Sequence, residues 1–117
     1  MKISIYSLDE SPLDSVECHR NLEGITRFFA NGFLPHIALH EIDVKSNNQD
    51  YVDLHKHDFD EINILLDDDI KFEYNINGTK LVIEGRKVIF IPRGVMHAQK
   101  IIEGRGKFLC IRQETKL

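Results

Sequence analysis

The stretch "LHKHDFDEIN", residues 54–63, gathers six titratable side chains into seven positions. They are His55, Lys56, His57, Asp58, Asp60 and Glu61. On a strand, His55 and His57 point to one face and Lys56 to the other. The two Cα atoms then lie roughly 6.5–7 Å apart, so both imidazoles can approach one ion. The stretch is either a solvated turn or half of a metal site whose other half lies elsewhere in the chain.

Two further residues complete a candidate ligand set. Glu61 opens the apolar run "EINILL", in which Glu61, Asn63 and Leu65 share a face. The turn "PRG" at 92–94 ends the run "KVIFI", and His97 begins the next run, "HAQKII". Three histidines and one carboxylate bind a divalent first-row metal such as Fe, Mn, Co, Ni, Cu or Zn. On an octahedral ion, two positions would stay open for substrate, water or dioxygen.

Short runs rich in β-branched and aromatic residues would have to position these side chains. The predicted strands are "KISIY", "GITRFF", "HIALHEIDV", "YVDLHKH", "EINILL", "IKFEYNI", "KLVIE", "KVIFI", "HAQKII" and "KFLCIRQ". The one helix candidate is "SPLDSVECHRNL" near the start. Many short strands with little helix predict an all-β sandwich or barrel, and closure is favoured because it removes exposed strand edges.

Turn signals separate these runs. Asn77-Gly78 is the strongest, because a two-residue hairpin loop needs positive φ at both positions. "DDD" at 67–69 turns through the tolerance of Asp for left-handed conformations. The glycines in "EGR" at 84–86 and in "EGRG" at 103–106 predict two more turns.

Length and composition limit the class of protein. The 117 residues are 42% apolar and 29% charged, which is typical of one globular domain over 1–117. A net charge of −4 without a basic cluster argues against nucleic acid as a partner. No apolar run approaches a membrane span of about 20 residues, and no secretory leader is evident, so we expect a cytoplasmic protein. Cys18 and Cys110 are then expected as thiols and not as a disulfide.

Together the two histidine patterns resemble the two motifs of the cupin superfamily. The first motif, His-x-His followed by three or four residues and Glu, is present as "HKHDFDE" within about 49–68. The second, Gly followed by five residues and then Pro-x-Gly-x-x-His, is present as "GRKVIFIPRGVMH" within about 85–101. The resemblance implies a double-stranded β-helix, a jelly-roll-like barrel that often forms a homodimer. It also implies one metal ion held by His55, His57, Glu61 and His97.

The chain departs from the cupin pattern at four places. Gln49 and Asp68 stand where the first motif has glycines, and Ile101 stands where an asparagine often follows the last histidine. Gly85 is one residue too far from Pro92, which predicts a bulge in "KVIFI". These departures affect turns and periphery and leave the four candidate ligands in place.

Several polar residues lie close to the candidate ligands in sequence. Gln99 shares a face with His97, and Asn63 shares one with Glu61, so both are candidates to hold a ligand or contact substrate. They are equally interpretable as polar residues at a barrel mouth. Tyr74 and Arg112 lie on strands whose faces the pattern leaves open. Arg93, in the "PRG" turn, either grips an anionic substrate or is a solvated turn residue.

Other candidates are assigned ordinary roles. His36 and His40 are four residues apart on a predicted strand, where they would lie about 13 Å apart, too far to share an ion. Asp58 and Asp60 are interpreted as solvated loop acids, with Phe59 between them packing inward.

Two functions therefore remain open. The first is a metal-dependent enzyme that acts on a small oxygen-rich or acidic molecule. The resemblance to cupins makes dioxygenase chemistry the commonest specific expectation. A non-redox isomerase or lyase is the alternative within that reading. The second is a non-catalytic module that binds a metal or a small molecule. The chain contains no Gly-x-Ser-x-Gly, Cys-x-x-Cys or dinucleotide fingerprint that would indicate another chemistry.

Overall fold

Nine β-strands make up the regular structure of the residues that the structure describes. The computed structural model describes residues 2–12, 18–33 and 36–113. The strands are β1 (Leu8–Glu10), β2 (Ile25–Ala30), β3 (His36–Val44), β4 (Val52–His55), β5 (Asp60–Leu65), β6 (Ile70–Ile76), β7 (Thr79–Glu84), β8 (Lys87–Ile91) and β9 (His97–Gln113). The prediction of an all-β fold is therefore confirmed.

The long strand β9 joins two layers of antiparallel strands. Its first half pairs with β4 and β6, and β6 continues into the hairpin with β7. Its second half pairs with β3 and β5, which extend to β1, β2 and β8. The two layers are those of a double-stranded β-helix.

Apolar side chains from both layers fill the space between them. The fully buried side chains Phe72, Ile101 and Phe108 lie at its centre, and the Phe72 and Phe108 rings meet edge to face with centroids 5.0 Å apart. The strands alternate buried and exposed positions, as in β3, where Ile42 and Val44 are buried and Asp43 is exposed. The same alternation carries polar residues inward near one end of the barrel, and these form the candidate site.

Most predicted turns are confirmed. Asn77 and Gly78 have φ of 50° and 90° and form the two-residue loop between β6 and β7. Residues 67–69 connect β5 to β6, and Gly85, with φ of 82°, lies between β7 and β8. Each connection is short because it only has to reverse the chain between neighbouring antiparallel strands.

The turn predicted at "EGRG" is wrong, because β9 runs through residues 103–106 without reversing. Gly104 lies in this stretch with φ of 129°, and the register between β6 and β9 shifts nearby, between Lys71 and Phe72. A Cβ at Gly104 would collide with the backbone carbonyl oxygen of Asp69. The glycine therefore lets one strand pass from the first layer to the second while β6 approaches it closely.

Two other predictions are wrong, and a third concerns a segment that lies partly outside the described residues. "KISIY" forms no strand, and the first strand begins only at Leu8. The register between β5 and β8 is regular, so β8 has no bulge, and the extra residue after Gly85 belongs to the turn. The helix candidate lies partly outside the described residues, since 13–17 are not among them. Within the described residues, no helix has the length and hydropathy to cross a membrane.

We expect the substitution Gly104→Ala to destabilise the protein more than Gly78→Ala does. Both residues have positive φ, but an added Cβ at Gly78 meets no atom within 4 Å. Backbone strain alone predicts a loss of about 1–2 kcal/mol at Gly78, and the added clash at Gly104 raises it to about 3 kcal/mol or more. Urea unfolding followed by circular dichroism measures both losses, and equal losses would contradict the role of Gly104 in the passage between layers.

Candidate metal centre

The four candidate ligands come from three strands and one connection that meet at one end of the barrel. His55 ends β4 and is the direct cross-strand partner of His97, the first residue of β9. Glu61 lies on β5, in the other layer. His57 lies in the connection between β4 and β5, where its carbonyl accepts a hydrogen bond from the Gly94 amide at 2.9 Å. This bond ties the first histidine motif to the turn that precedes His97.

The three imidazoles converge at their ring edges. The potential ligand atoms of His55, His57 and His97 all lie within 4.8 Å of one another. The His97 ring centroid is 4.5 Å from that of His55 and 4.9 Å from that of His57, and the rings are tilted or perpendicular to each other. Three nitrogens at this spacing around one point are the arrangement of a three-histidine metal site.

Backbone carbonyls fix the orientation of every ring. The Nδ1 atoms of His55, His57 and His97 lie 2.7, 3.0 and 2.9 Å from the carbonyl oxygens of Asp53, Phe59 and Val95. A carbonyl oxygen only accepts hydrogen bonds, so each Nδ1 carries a proton. The Nε2 atom of each neutral imidazole then keeps its lone pair for an ion, as in most protein metal sites.

Glu61 adds a carboxylate to the three nitrogens. Its Oε1 lies 3.0 Å from His57 Nε2 and 3.8 Å from His97 Nε2. Because His57 Nδ1 is already the protonated nitrogen, a lone pair of Nε2 faces the carboxylate oxygen at 3.0 Å unless a cation or a second proton lies between them. The contact is therefore of the kind that a bound metal ion stabilises.

A chain of hydrogen bonds holds the other oxygen of Glu61. Asn63 Nδ2 donates to Glu61 Oε2 at 3.0 Å, and the Tyr74 hydroxyl donates to Asn63 Oδ1 at 2.8 Å. Gln99 Nε2 donates to the same hydroxyl at 2.9 Å. Asn63, Tyr74 and Gln99 are all buried, so the chain is shielded from water. The structure thus brings three of the four predicted supporting residues together behind the carboxylate.

The protonation states suit a cation site. Burial raises the pKa of Glu61, but the contact with His57 Nε2, the neighbouring His97 ring and the hydrogen bond from Asn63 outweigh it and lower the pKa to about 2. Burial is also the largest cause that lowers the pKa of His97. At neutral pH the site thus offers an ionised carboxylate and a neutral imidazole, which are the forms that bind metal.

The donor set passes a further test of fit. His97 is 1% exposed, and its Nε2 atom has no hydrogen-bond partner among the described residues. A buried nitrogen lone pair without a partner is costly, and a metal ion held jointly by His55, His57, His97 and Glu61 would satisfy it. The residues therefore fit a divalent metal.

Arg93 is not brought into this group. Its amide donates to Asp60 Oδ1 at 2.9 Å, and its Nε lies 3.5 Å from the same oxygen. Arg93 is also not among the side chains that line the cavity beside the site. Asp60 is 7% exposed, so the prediction of a solvated loop acid is wrong, since this carboxylate anchors the "PRG" turn. The placement of Arg93 argues against its interpretation as a substrate contact.

A cavity of about 620 Å³ opens beside the candidate ligands and is lined by His55, His57 and Glu61. Its lining also contains Arg27 and Arg112. Arg27 was missed by the sequence reasoning, although alternation along "ITRFFA" puts it on the buried face with Ile25.

His36 and His40 have ordinary partners, as predicted. Arg27 Nη2 lies 3.4 Å from His36 Nε2. His40 Nε2 lies 2.9 Å from the Tyr51 hydroxyl, and its ring stacks on Phe108 with centroids 4.0 Å apart. Cys18 and Cys110 are both thiols, as expected.

Comparison with solved structures supports the fold. The chain is similar to an RmlC-like cupin from Shewanella frigidimarina, with 16% identity, 88% of this chain and 87% of that chain covered, and a TM-score of 0.59. It is similar to KdgF from Halomonas sp., with 14% identity, 98% and 96% covered, and a TM-score of 0.61. It also matches Fe(II)-HppE with the alternative substrate (S)-1-HPP, with 10% identity, 96% and 60% covered, and a TM-score of 0.63.

The chain has the cupin fold. No protein-family model matches it, and no curated protein does either. The resemblance seen in the two histidine motifs is thereby confirmed at the level of the fold. The homodimer that the cupin resemblance implies stays a prediction.

We expect His57→Ala and His97→Ala each to abolish stoichiometric metal binding by this protein, because each removes one of three convergent nitrogens. Lys56→Ala is the matched control, since Lys56 lies between the two histidines of "HKH" and is exposed. Metal content is measured by plasma mass spectrometry after loading with Zn²⁺ or anaerobically with Fe²⁺. Full occupancy in both histidine variants would exclude this site.

We expect Tyr74→Phe to weaken metal binding by about 10–100-fold, because the Gln99–Tyr74–Asn63 chain no longer holds Glu61. Burial raises the pKa of Tyr74 well above its usual value, so its hydroxyl remains a hydrogen-bond donor at all working pH values. Competition with a fluorescent chelator measures the affinity, and Tyr6→Phe, at an exposed tyrosine outside the chain of hydrogen bonds, serves as control. Equal affinities of the two variants would count against this role.

Proposed function

We propose that this protein is a metal-dependent enzyme that acts on a small oxygen-rich or acidic molecule. The observation that supports it best is the convergence of the His55, His57 and His97 imidazoles beside a cavity, with the Glu61 carboxylate next to two of them. The His97 Nε2 atom without a hydrogen-bond partner among the described residues supports a cation at this point.

The chain's own residues divide into two tasks around such an ion. Chemistry at the metal consists of binding and polarising a substrate oxygen and, with Fe(II), activating dioxygen. Glu61 supplies the one negative charge among the ligands, and its pKa of about 2 makes it a weak base better suited to holding a cation than to accepting a proton. Asn63, Tyr74 and Gln99 keep that carboxylate in place.

The cavity supports a small substrate. Its volume of about 620 Å³ lies within the ~300–1,000 Å³ of typical small-molecule sites. Aromatic rings of Phe29, Phe59 and Tyr51 form part of the lining next to polar groups. A molecule with a carbon skeleton and a few oxygens fits this mixture better than a polymer does.

Dioxygenase chemistry is the specific form of this proposal. The Fe(II)-HppE structure, which has the same fold, contains iron together with an alternative substrate. Three histidines and a carboxylate accept Fe(II) among other divalent metals, so iron loading is the natural first condition. A non-redox isomerase or lyase would use the same ligands with a metal that does not react with dioxygen.

The test is oxygen uptake by protein purified anaerobically and loaded with one equivalent of Fe²⁺. A panel of diols, thiols and keto acids is offered, and an oxygen electrode and mass spectrometry follow consumption and products. We expect uptake with at least one compound class, loss of at least 100-fold in His57→Ala, and retention in Asp58→Ala, since Asp58 is exposed and does not line the cavity.

Other outcomes discriminate between the alternatives. Conversion of a panel member with Zn²⁺ or Mn²⁺ and no oxygen uptake would contradict the dioxygenase and indicate an isomerase or lyase. Tight metal binding without conversion of any compound under any metal would contradict an enzyme acting on these classes and favour a binding module.

A further inference from the structure

The lining of the cavity carries two arginines that the metal site does not use. Arg27 lies on β2 and Arg112 on β9, and both side chains line the cavity. Positive charge inside a protein is costly unless it is paired, so two arginines facing one cavity call for a physical explanation.

The register of the second layer places Arg112 next to the metal site. His36, Arg112 and Glu61 are successive cross-strand partners on β3, β9 and β5. Neighbouring strands are about 4.8 Å apart, so Arg112 lies one strand away from the candidate ligand Glu61. One molecule in the cavity can therefore contact the ion and Arg112 together.

Arg27 is buried with neutral partners only. It is 4% exposed, its Nη1 donates to Ser11 Oγ at 3.1 Å, and its Nη2 lies 3.4 Å from His36 Nε2. Burial and then the neighbouring Arg112 and Arg27 charges lower the pKa of His36 to about 4, so this ring is neutral and accepts the hydrogen bond. The contacts satisfy donors of Arg27 but leave its charge uncompensated.

Neither guanidinium has a carboxylate partner within the part of the chain that the structure describes. All ion pairs among those residues involve other groups, and Glu61 pairs with His57 and His97. The cavity thus holds two arginine charges that an external anion can neutralise.

Aromatic rings hold both guanidinium groups in position. Arg27 lies over the Phe29 ring at 5.1 Å, and Arg112 lies over the Phe59 ring at 4.1 Å from the centroid. The Phe59 ring also stacks on the imidazole ring of His57, with centroids 3.7 Å apart. Stacked arginines lose little freedom when they bind, and their planar forks match carboxylate and phosphate oxygens.

We propose that Arg27 and Arg112 bind the anionic group, a carboxylate or phosphate, of a small organic molecule whose other end reaches the metal site. This proposal deepens the proposed function, since it names the substrate class of the same cavity. The anion site itself does not require that the metal be catalytic, so it can be tested separately.

The probes are butanoate, n-propyl phosphate and the neutral butanamide, titrated at constant ionic strength into metal-free and Zn²⁺-loaded protein. Two-dimensional NMR of the arginine Nε–Hε groups reports binding at Arg27 and Arg112 directly. We expect saturable shifts at both arginines with at least one anion in both metal states, and none with butanamide. The stronger of the two anions identifies carboxylate or phosphate as the natural group.

Variants test which arginines carry the binding. Arg112→Gln should weaken anion binding by about tenfold or more, because it removes a charge-assisted hydrogen bond. Arg105→Gln is the matched control, since Arg105 lies on the same strand, is exposed and does not line the cavity. Arg27→Lys keeps the buried charge, so it tests the planar fork at Arg27 if Arg27→Gln does not fold.

The outcomes separate the two proposals. Anion shifts that persist when the protein fails to bind any metal would support the arginine site and contradict the proposed function. Absent shifts in a protein that binds metal and turns over a substrate would overturn the arginine site alone. Equal affinity in Arg112→Gln and Arg105→Gln would also overturn it.

Discussion

The hydrogen bonding of β9 to both layers is the constraint on which the candidate site depends. At its start, β9 aligns His97 with His55, and near its end it aligns Arg112 with Glu61. A shift of two residues along either half would keep the inward face but move one set of ligands by about 7 Å relative to the other. The passage at Gly104 therefore has to fix both the direction of the strand and its register.

Buried charge is the second constraint, and the protein meets it in different ways at Glu61 and at the two arginines. Glu61 is surrounded by donors and nitrogen ligands that keep it ionised despite its burial. Arg112 is the cross-strand neighbour of Glu61, but neither Arg112 nor Arg27 forms an ion pair with this carboxylate, which leaves both guanidinium groups for the proposed anion. If Arg112 formed a salt bridge with Glu61, the carboxylate could not bind a metal ion and the guanidinium could not bind the proposed anion. The stacking of Arg112 on Phe59 holds it away from that alternative.

Sequence reasoning grouped the candidate side chains correctly where chemistry and periodicity agree. His55, His57 and His97 have a distinctive spacing, and alternation along β5 and β9 correctly puts Asn63 with Glu61 and Gln99 with His97. The Asn77-Gly78 hairpin was predictable because its φ requirement is local. These features depend on residues that are close together in the chain.

The failures share a different origin, because each depends on which distant segment lies alongside. "EGRG" has the composition of a turn, but only the approach of β6 to Gly104 decides that the strand continues. Asp60 looks solvated until its partner, the Arg93 amide 33 residues away, is known. Arg27 looks like one polar residue in an apolar strand, and its role follows only from the cavity that β3 and β9 close around it.

Phe59 limits the size of the proposed ligand that would reach both the metal site and Arg112. Its ring contacts the imidazole of His57 and the guanidinium of Arg112, so one aromatic ring separates the two binding groups. A ligand that bridges them can therefore be only a few atoms long between its anionic group and the atom that reaches the metal site. A short hydroxy acid, keto acid or phosphorylated fragment meets this limit, whereas a long-chain acid has to leave through the open side of the cavity. Because Phe59 lies between the His57 imidazole and the Arg112 guanidinium, the size of the proposed ligand would determine specificity together with its charge.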